Sequence, residues 1–169
     1  MPLIITEGDI TRMTTEAIVN SANTRLLAGG GVCGAIFRAA GLTELQAECQ
    51  SIGFCETGQA VITSGYKLPA KFIIHTVGPV WQGGNQGEAA LLAQSYASSL
   101  ELARSRGILS IAFPLISSGI FGYPAQDALA IAKEAITAFL REHEMEVFLV
   151  LFDHKTLGRK PPASKLSGG

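Results

Sequence analysis

Short apolar runs rich in β-branched residues alternate along this chain with longer stretches whose apolar positions recur every three or four residues. Residues 3–6, 17–20, 59–64, 71–77, 110–113 and 146–152 have the first pattern and are expected as strands. Residues 31–40, 87–106 and 124–142 have the second. In the long middle stretch, Leu91, Leu92, Ser95, Tyr96, Ser99, Leu102 and Ala103 fall on one helical face. A further helix is expected after Ala40-Gly41, with Thr43 as its cap, Gln46 at the capping-box position and Gly53 past its end. Tyr66-Lys67-Leu68-Pro69 turns between two strands, and Pro124 suits the opening of the last helix. Strands and helices in alternation predict a layered α/β domain.

Composition narrows the reading. The 169 residues suit one domain, 47% hydrophobic and only 16% charged, with a net charge of −1. No run of Lys and Arg marks a nucleic-acid surface, so nucleic acid is not an expected partner. The longest apolar stretch, 147–152, is far too short to cross a bilayer, and residues 1–6 lack the basic start and apolar core of a signal peptide. Cys33, Cys49 and Cys55 contain no CxxC pair, which argues against a disulfide framework and a structural zinc site. The expectation is a cytoplasmic monomer without metal or cofactor. A polar, proline-containing stretch from Gly158 to Gly169 is expected to be a flexible tail, which puts the domain at 1–157.

The nineteen glycines are clustered, and two clusters stand between an expected strand and an expected helix. These are Ala28-Gly29-Gly30-Gly31-Val32-Cys33-Gly34 and Ser117-Ser118-Gly119-Ile120-Phe121-Gly122. Without Cβ atoms, consecutive N–H groups can converge on an anion, and a helix N-terminus adds partial positive charge. Tight turns and close packing explain single loops of this kind equally well. As a pair they suit a diphosphate held with few basic side chains. No GxxxxGK[ST] is present, and no GxGxxG follows the first strand, so neither a P-loop nor a dinucleotide-dehydrogenase fingerprint applies.

Several segments together resemble the macrodomain family of the MacroD type. They are Gly8-Asp9-Ile10-Thr11, Ile18-Val19-Asn20-Ser21-Ala22-Asn23, Leu26-Leu27-Ala28-Gly29-Gly30-Gly31-Val32, Ala35-Ile36-Phe37-Arg38-Ala39-Ala40-Gly41, Ile74-His75-Thr76-Val77-Gly78-Pro79 and the stretch 112–124. The resemblance implies a three-layer α/β/α sandwich with a central mixed, mostly parallel sheet, and a cleft for ADP-ribose or an ADP-ribosylated protein. It implies that Asp9, with Ile10 beside it, accepts the adenine amine, and that Phe152 stacks on adenine. Read alone, Asp9 is a turn cap and Phe152 a core residue. Gly30, Gly31, Val32 and the loop Ser117, Ser118, Gly119, Ile120 and Phe121 would hold the diphosphate and distal ribose. Asn23 would bind the distal ribose hydroxyls, whereas Asn20, also a candidate ligand, more often fixes the loop.

The chain departs from that family at Cys33. Hydrolytic members continue Val-Asp-Gly-Ala-Ile-His, and here the sequence is Val32-Cys33-Gly34-Ala35-Ile36-Phe37. A thiol does not replace a carboxylate base with the same geometry. Three readings follow: hydrolysis of ADP-ribosyl esters with Asn23 positioning the ribose, a non-catalytic ADP-ribose reader, or Cys33 as a thiolate nucleophile with no visible base. Hydrolysis is preferred, with Asn23 and Cys33 as the catalytic candidates. An RNA or poly(ADP-ribose) binding module is the rival from another class, and 7% aromatic residues with a slightly acidic balance speak against it. His75 is read as a core histidine, His143 and His154 as surface residues, Cys49 and Cys55 as buried. Trp81 is expected in a mobile connection.

Overall fold

Strand residues of alternate parity enter two separate cores, and that division produces the layers. The computed structural model describes residues 2–152. The expected domain end at 157, the tail from Gly158 and His154 lie outside the described residues. The strands are β1 (Ile4–Glu7), β2 (Ala17–Ser21), β3 (Ala60–Ser64), β4 (Phe72–Thr76), β5 (Ser110–Phe113) and β6 (Glu146–Leu151). The helices are α1 (Gly31–Ala40), α2 (Leu42–Ile52), α3 (Glu88–Ser105) and α4 (Ala125–Glu142). One six-stranded sheet has the order β1-β6-β5-β2-β4-β3. Every pairing is parallel except β3 with β4. The expected mixed, mostly parallel α/β/α architecture is what the chain adopts.

Ala17, Val19, Ile74, Ile111, Phe113, Val147 and Leu149 point to one face, where Leu92, Tyr96 and Leu100 of α3 meet Ala128, Ala132 and Ile136 of α4. Ile18, Ile73, Ala112 and Val150 point to the other, against Cys33, Ile36 and Phe37 of α1 and Leu45 and Cys49 of α2. Successive strand side chains alternate between faces, so residues one apart serve different helices. The α4 stripe is narrow and small, and its two alanines let α3 and α4 approach closely. Fully burying one of these Leu or Ile side chains stabilises the fold by about 1.5–3 kcal/mol.

The second helix starts differently from the expectation. Gly41, at φ +113°, is its N-cap, no side chain caps it, and Thr43 lies inside the helix. Helix α1 ends at the same glycine, with Gly41 N–H bonded to the Phe37 carbonyl at 3.0 Å. Two helices joined through one glycine leave no room for a separate Thr43 cap. Gln46 is thereby free for a different task at the site. A short 3-10 turn, Ile10–Arg12, also follows β1, and sequence periodicity is too short-ranged to reveal it.

Candidate functional site

The carboxyl ends of β1, β6, β5 and β2 open into one cleft of about 710 Å³. Loops at that end of a parallel sheet are where α/β folds bind ligands. From one side to the other, the wall consists of Gly8, Asp9 and Ile10 after β1, then Val150, Leu151 and Phe152. Next come Pro114, Leu115 and the residues from Ser117 to Phe121 after β5. Last are Ser21, Ala22 and Asn23 after β2, with Gly29 to Cys33, Ala35 and Arg38 beyond.

Asp9 caps the 3-10 turn. Its Oδ1 accepts from the Thr11 hydroxyl at 2.6 Å and from Thr11 N–H at 2.9 Å. These two bonds hold its carboxyl below the ordinary carboxylate range. Oδ2 remains available at the cleft wall. Phe152 leaves the strand and is 85% exposed at the rim, so it is not a core residue. Ile10 is buried in the same cleft wall.

Both glycine loops present unsatisfied donors. The N–H groups of residues 29–33 find no acceptor among the described residues, and neither do those of Ser117, Gly119, Ile120 and Phe121. In the first loop, Gly30 is the N-cap of α1 and Gly31 has φ +57°. A side chain at Gly34 would collide with the Gly29 carbonyl. In the second loop Ser117 adopts φ +68°, a strained conformation for a residue with a Cβ. Its hydroxyl is buried, has no partner and is packed against Gly78. The loops meet: a Cβ at Gly30 would lie 3.1 Å from Ile120 Cδ1.

Side chains absent from the sequence-based candidates hold these loops. Gln46 accepts from Ala28 N–H at 2.9 Å and donates to the Leu26 carbonyl at 3.0 Å, clamping the first loop onto α2. Tyr96 donates to the Pro114 carbonyl at 3.2 Å and accepts from Ile116 N–H at 3.0 Å, fixing the entry to the second. Trp81 braces that loop from outside. Its backbone N–H donates to the Phe121 carbonyl at 2.8 Å and its ring centroid lies 4.7 Å from that of Tyr123. The connection expected to be mobile is therefore fastened. Buried Glu88 accepts from the N–H groups of Gln82, Gly84 and Gln86 at 2.8, 3.1 and 2.6 Å. Desolvation would raise the Glu88 pKa, but the backbone donors outweigh it and hold the carboxyl at about 2. Trp81 does not line the cleft.

At the β2 end, Asn23 spends both ends of its amide on Leu27. Oδ1 accepts from Leu27 N–H at 3.0 Å and Nδ2 donates to its carbonyl at 2.8 Å. One N–H and one lone pair stay free at the cleft wall. Cys33 Sγ donates to the same carbonyl at 3.6 Å and accepts from Asn20 Nδ2 at 3.6 Å. Asn20 itself is fully buried and absent from the cleft wall, which corrects its placement among the ligand-contacting residues. It lies on the α1 face of β2, where the sheet's alternation turns it inward. Its Nδ2 also reaches His75 Nδ1 at 3.0 Å, and His75 Nε2 reaches Thr63 Oγ1 at 2.9 Å. Burial pushes the His75 pKa down to about 4, so it is neutral. Asn20 Oδ1 is buried without a partner.

Cys49 and Cys55 are buried, and burial raises both thiols to about 11. Among the described residues no group of three His, Cys, Asp or Glu is arranged to hold a metal, and no helix is long and apolar enough to cross a membrane. His143 is half-buried, with its ring 4.8 Å from that of Phe139.

Comparison with known proteins adds a family and three relatives. The family model described as Macro domain matches residues 19–132. A "Macro domain-containing protein" of Methanosarcina mazei is 56% identical over 151 residues, covering 88% of this chain and 80% of that protein. An "O-acetyl-ADP-ribose deacetylase" of Citrobacter koseri is 48% identical over 158 residues, covering 90% of this chain and 89% of that one. Among solved structures, a variant of the Oceanobacillus iheyensis macrodomain with ADPR superposes with a TM-score of 0.87 at 45% identity, covering 91% of this chain and 87% of that chain.

Proposed function

This chain belongs to the macro domain family, and on that premise we propose that its cleft binds ADP-ribose and hydrolyses esters of the distal ribose. One observation carries the reading. Two rows of unpartnered backbone amides converge on one cleft, with a free carboxylate oxygen of Asp9 on one side and the half-free amide of Asn23 on the other. Such amides suit a diphosphate without cationic side chains. Asp9 and Ile10 receive the adenine edge and Phe152 covers its face. Gly30, Gly31, Val32 and the loop from Ser117 to Phe121 take the phosphates and distal ribose. The names of the relatives, a deacetylase of O-acetyl-ADP-ribose and a macrodomain with ADPR, support the same ligand. O-acetyl-ADP-ribose and a mono-ADP-ribosylated protein are the substrates proposed.

Hydrolysis must proceed without a carboxylate at Cys33. Among the described residues Asp9 is the one acid on the cleft wall, and it stands three strand spacings away, about 14 Å. Asn23, rigid on Leu27, orients the distal ribose, and the substrate's own phosphate activates water. Positioning of this kind lowers the barrier by itself. Cys33 is a poor nucleophile here because its thiol proton is directed to the Leu27 carbonyl and the nearest imidazole, His75, is turned to Asn20. The missing carboxylate also favours a second reading, a reader that holds the mark without removing it.

Calorimetry with ADP-ribose, ADP and NAD, paired with an assay for ADP-ribose release from an ADP-ribosylated protein or deacetylation of O-acetyl-ADP-ribose, separates these readings. Binding with turnover supports hydrolysis. Binding without turnover supports the reader, and no binding of ADP-ribose at millimolar concentration refutes both.

A further inference from the structure

Among the described residues lining the cleft, Arg38 is the only cation. It forms no ion pair among the described residues, and its position is electrostatically odd. Its Cα belongs to the last turn of α1, where a cation suits the helix dipole. Long helical side chains run back toward the N-terminus, and this one does so: Nη1 lies 3.0 Å from where a Cβ of Gly34 would stand. The guanidinium therefore rests beside the first turn of α1, where the dipole is positive and the unpartnered amides of residues 29–33 add to it. Among the described residues no acid balances it there. A bound anion would.

Two anions are candidates, and the geometry separates them. The diphosphate already has the amides of both glycine loops. Arg38 instead shares its neighbour, Gly29, with the sugar end of the cleft. The same position over Gly34 adjoins the Gly29 carbonyl, and a Cβ at Gly29 would lie 3.9 Å from both Asn23 Nδ2 and Cys33 Sγ. We propose that Arg38 recognises a carboxylate on the polypeptide attached to the distal ribose, so that the cleft selects ADP-ribose carried on an acidic peptide segment. A guanidinium fits a carboxylate through two parallel N–H···O bonds. The proposal rests on the ADP-ribose reading above and holds for a hydrolase or a reader.

The test uses two peptides carrying ADP-ribose through a non-hydrolysable oxime at one residue, flanked by Glu in one and by Lys in the other. Affinities are measured by calorimetry at low salt for the wild type, Arg38→Ala, Arg38→Lys and Arg38→Glu, each normalised to that variant's own affinity for free ADP-ribose. The wild type is expected to prefer the acidic peptide about fivefold, as a partly exposed charge-assisted pair allows. Arg38→Ala should bring the ratio within twofold, Arg38→Lys should retain part of it, and Arg38→Glu should invert it. A wild-type ratio near one, or a preference that survives in Arg38→Ala, overturns the proposal. Equal weakening of free ADP-ribose and both peptides in Arg38→Ala assigns Arg38 to the diphosphate and also overturns it. A wild type that ignores free ADP-ribose removes the underlying reading as well.

Discussion

Asn23, Cys33 and Asn20 meet around a single backbone carbonyl and a single amide, and this sets what their substitutions do. Asn23→Ala removes the Leu27 clamp together with the proposed ribose ligand. It should lower turnover at least tenfold while ADP-ribose affinity falls less, in an assay of ADP-ribose release. Cys33→Asp puts a carboxylate beside the position proposed for the distal ribose and should raise turnover, whereas Cys33→Ala should leave the rate near wild type. A large loss in Cys33→Ala would show a chemical role for the thiol. His75 acts on stability. Its pKa falls from an ordinary 6.5 to about 4 in the fold, so the unfolded chain binds the extra proton. That stability is complete above about pH 6.5 and is lost as pH falls toward 4, an effect of about 3 kcal/mol. His75→Gln, which cannot titrate, should flatten the melting temperature between those pH values.

At the scale of elements, the cleft depends on how α1, α2 and α3 are fastened to loops. Gln46→Leu keeps α2 apolar enough to pack but abandons Ala28 N–H and the Leu26 carbonyl. Losing those bonds costs about 1–2 kcal/mol, and the ADP-ribose Kd should rise about tenfold because the first glycine loop is no longer preorganised. Gly34→Ala drives a methyl into the Gly29 carbonyl and should destabilise the fold by about 1–3 kcal/mol, read as a lowered midpoint in denaturant. Glu88 fastens the connection before α3. Its carboxyl, held at about 2 against an ordinary 4.5, contributes stability present above about pH 4.5 and lost as pH falls through 2. Glu88→Gln should therefore reduce the slope of acid unfolding in that window and leave the His75 window unchanged, as monitored by circular dichroism.

For the whole molecule, a net charge of −1 and an amide-lined cleft predict weak salt dependence. ADP-ribose affinity should change less than about threefold between 50 and 200 mM salt. A polyanion site contacting many phosphates would instead lose about a thousandfold. A steep slope would restore the nucleic-acid reading. Binding should also raise the melting temperature with ligand concentration, by about 2.7 kcal/mol of added stability at a hundred times the Kd.

Period and punctuation were enough for most of the architecture. Alternating apolar runs located every strand to within two residues, and glycines marked the ends of α1 and α2, because these signals act over a few neighbours. The two glycine loops were legible for the same reason. The sequence also carried the cleft residues as motifs, yet it misjudged Asn20, Trp81 and Gln46. Asn20 faces inward through the parity of β2, Trp81 is held by a residue forty positions later, and Gln46 reaches back eighteen positions to a loop. Which side of a strand is buried, and which distant backbone group a side chain satisfies, are settled only when the helices close over the sheet. The balance of charge at Arg38 belongs to the same class, since an absent counter-ion can be recognised only once every neighbour has a place.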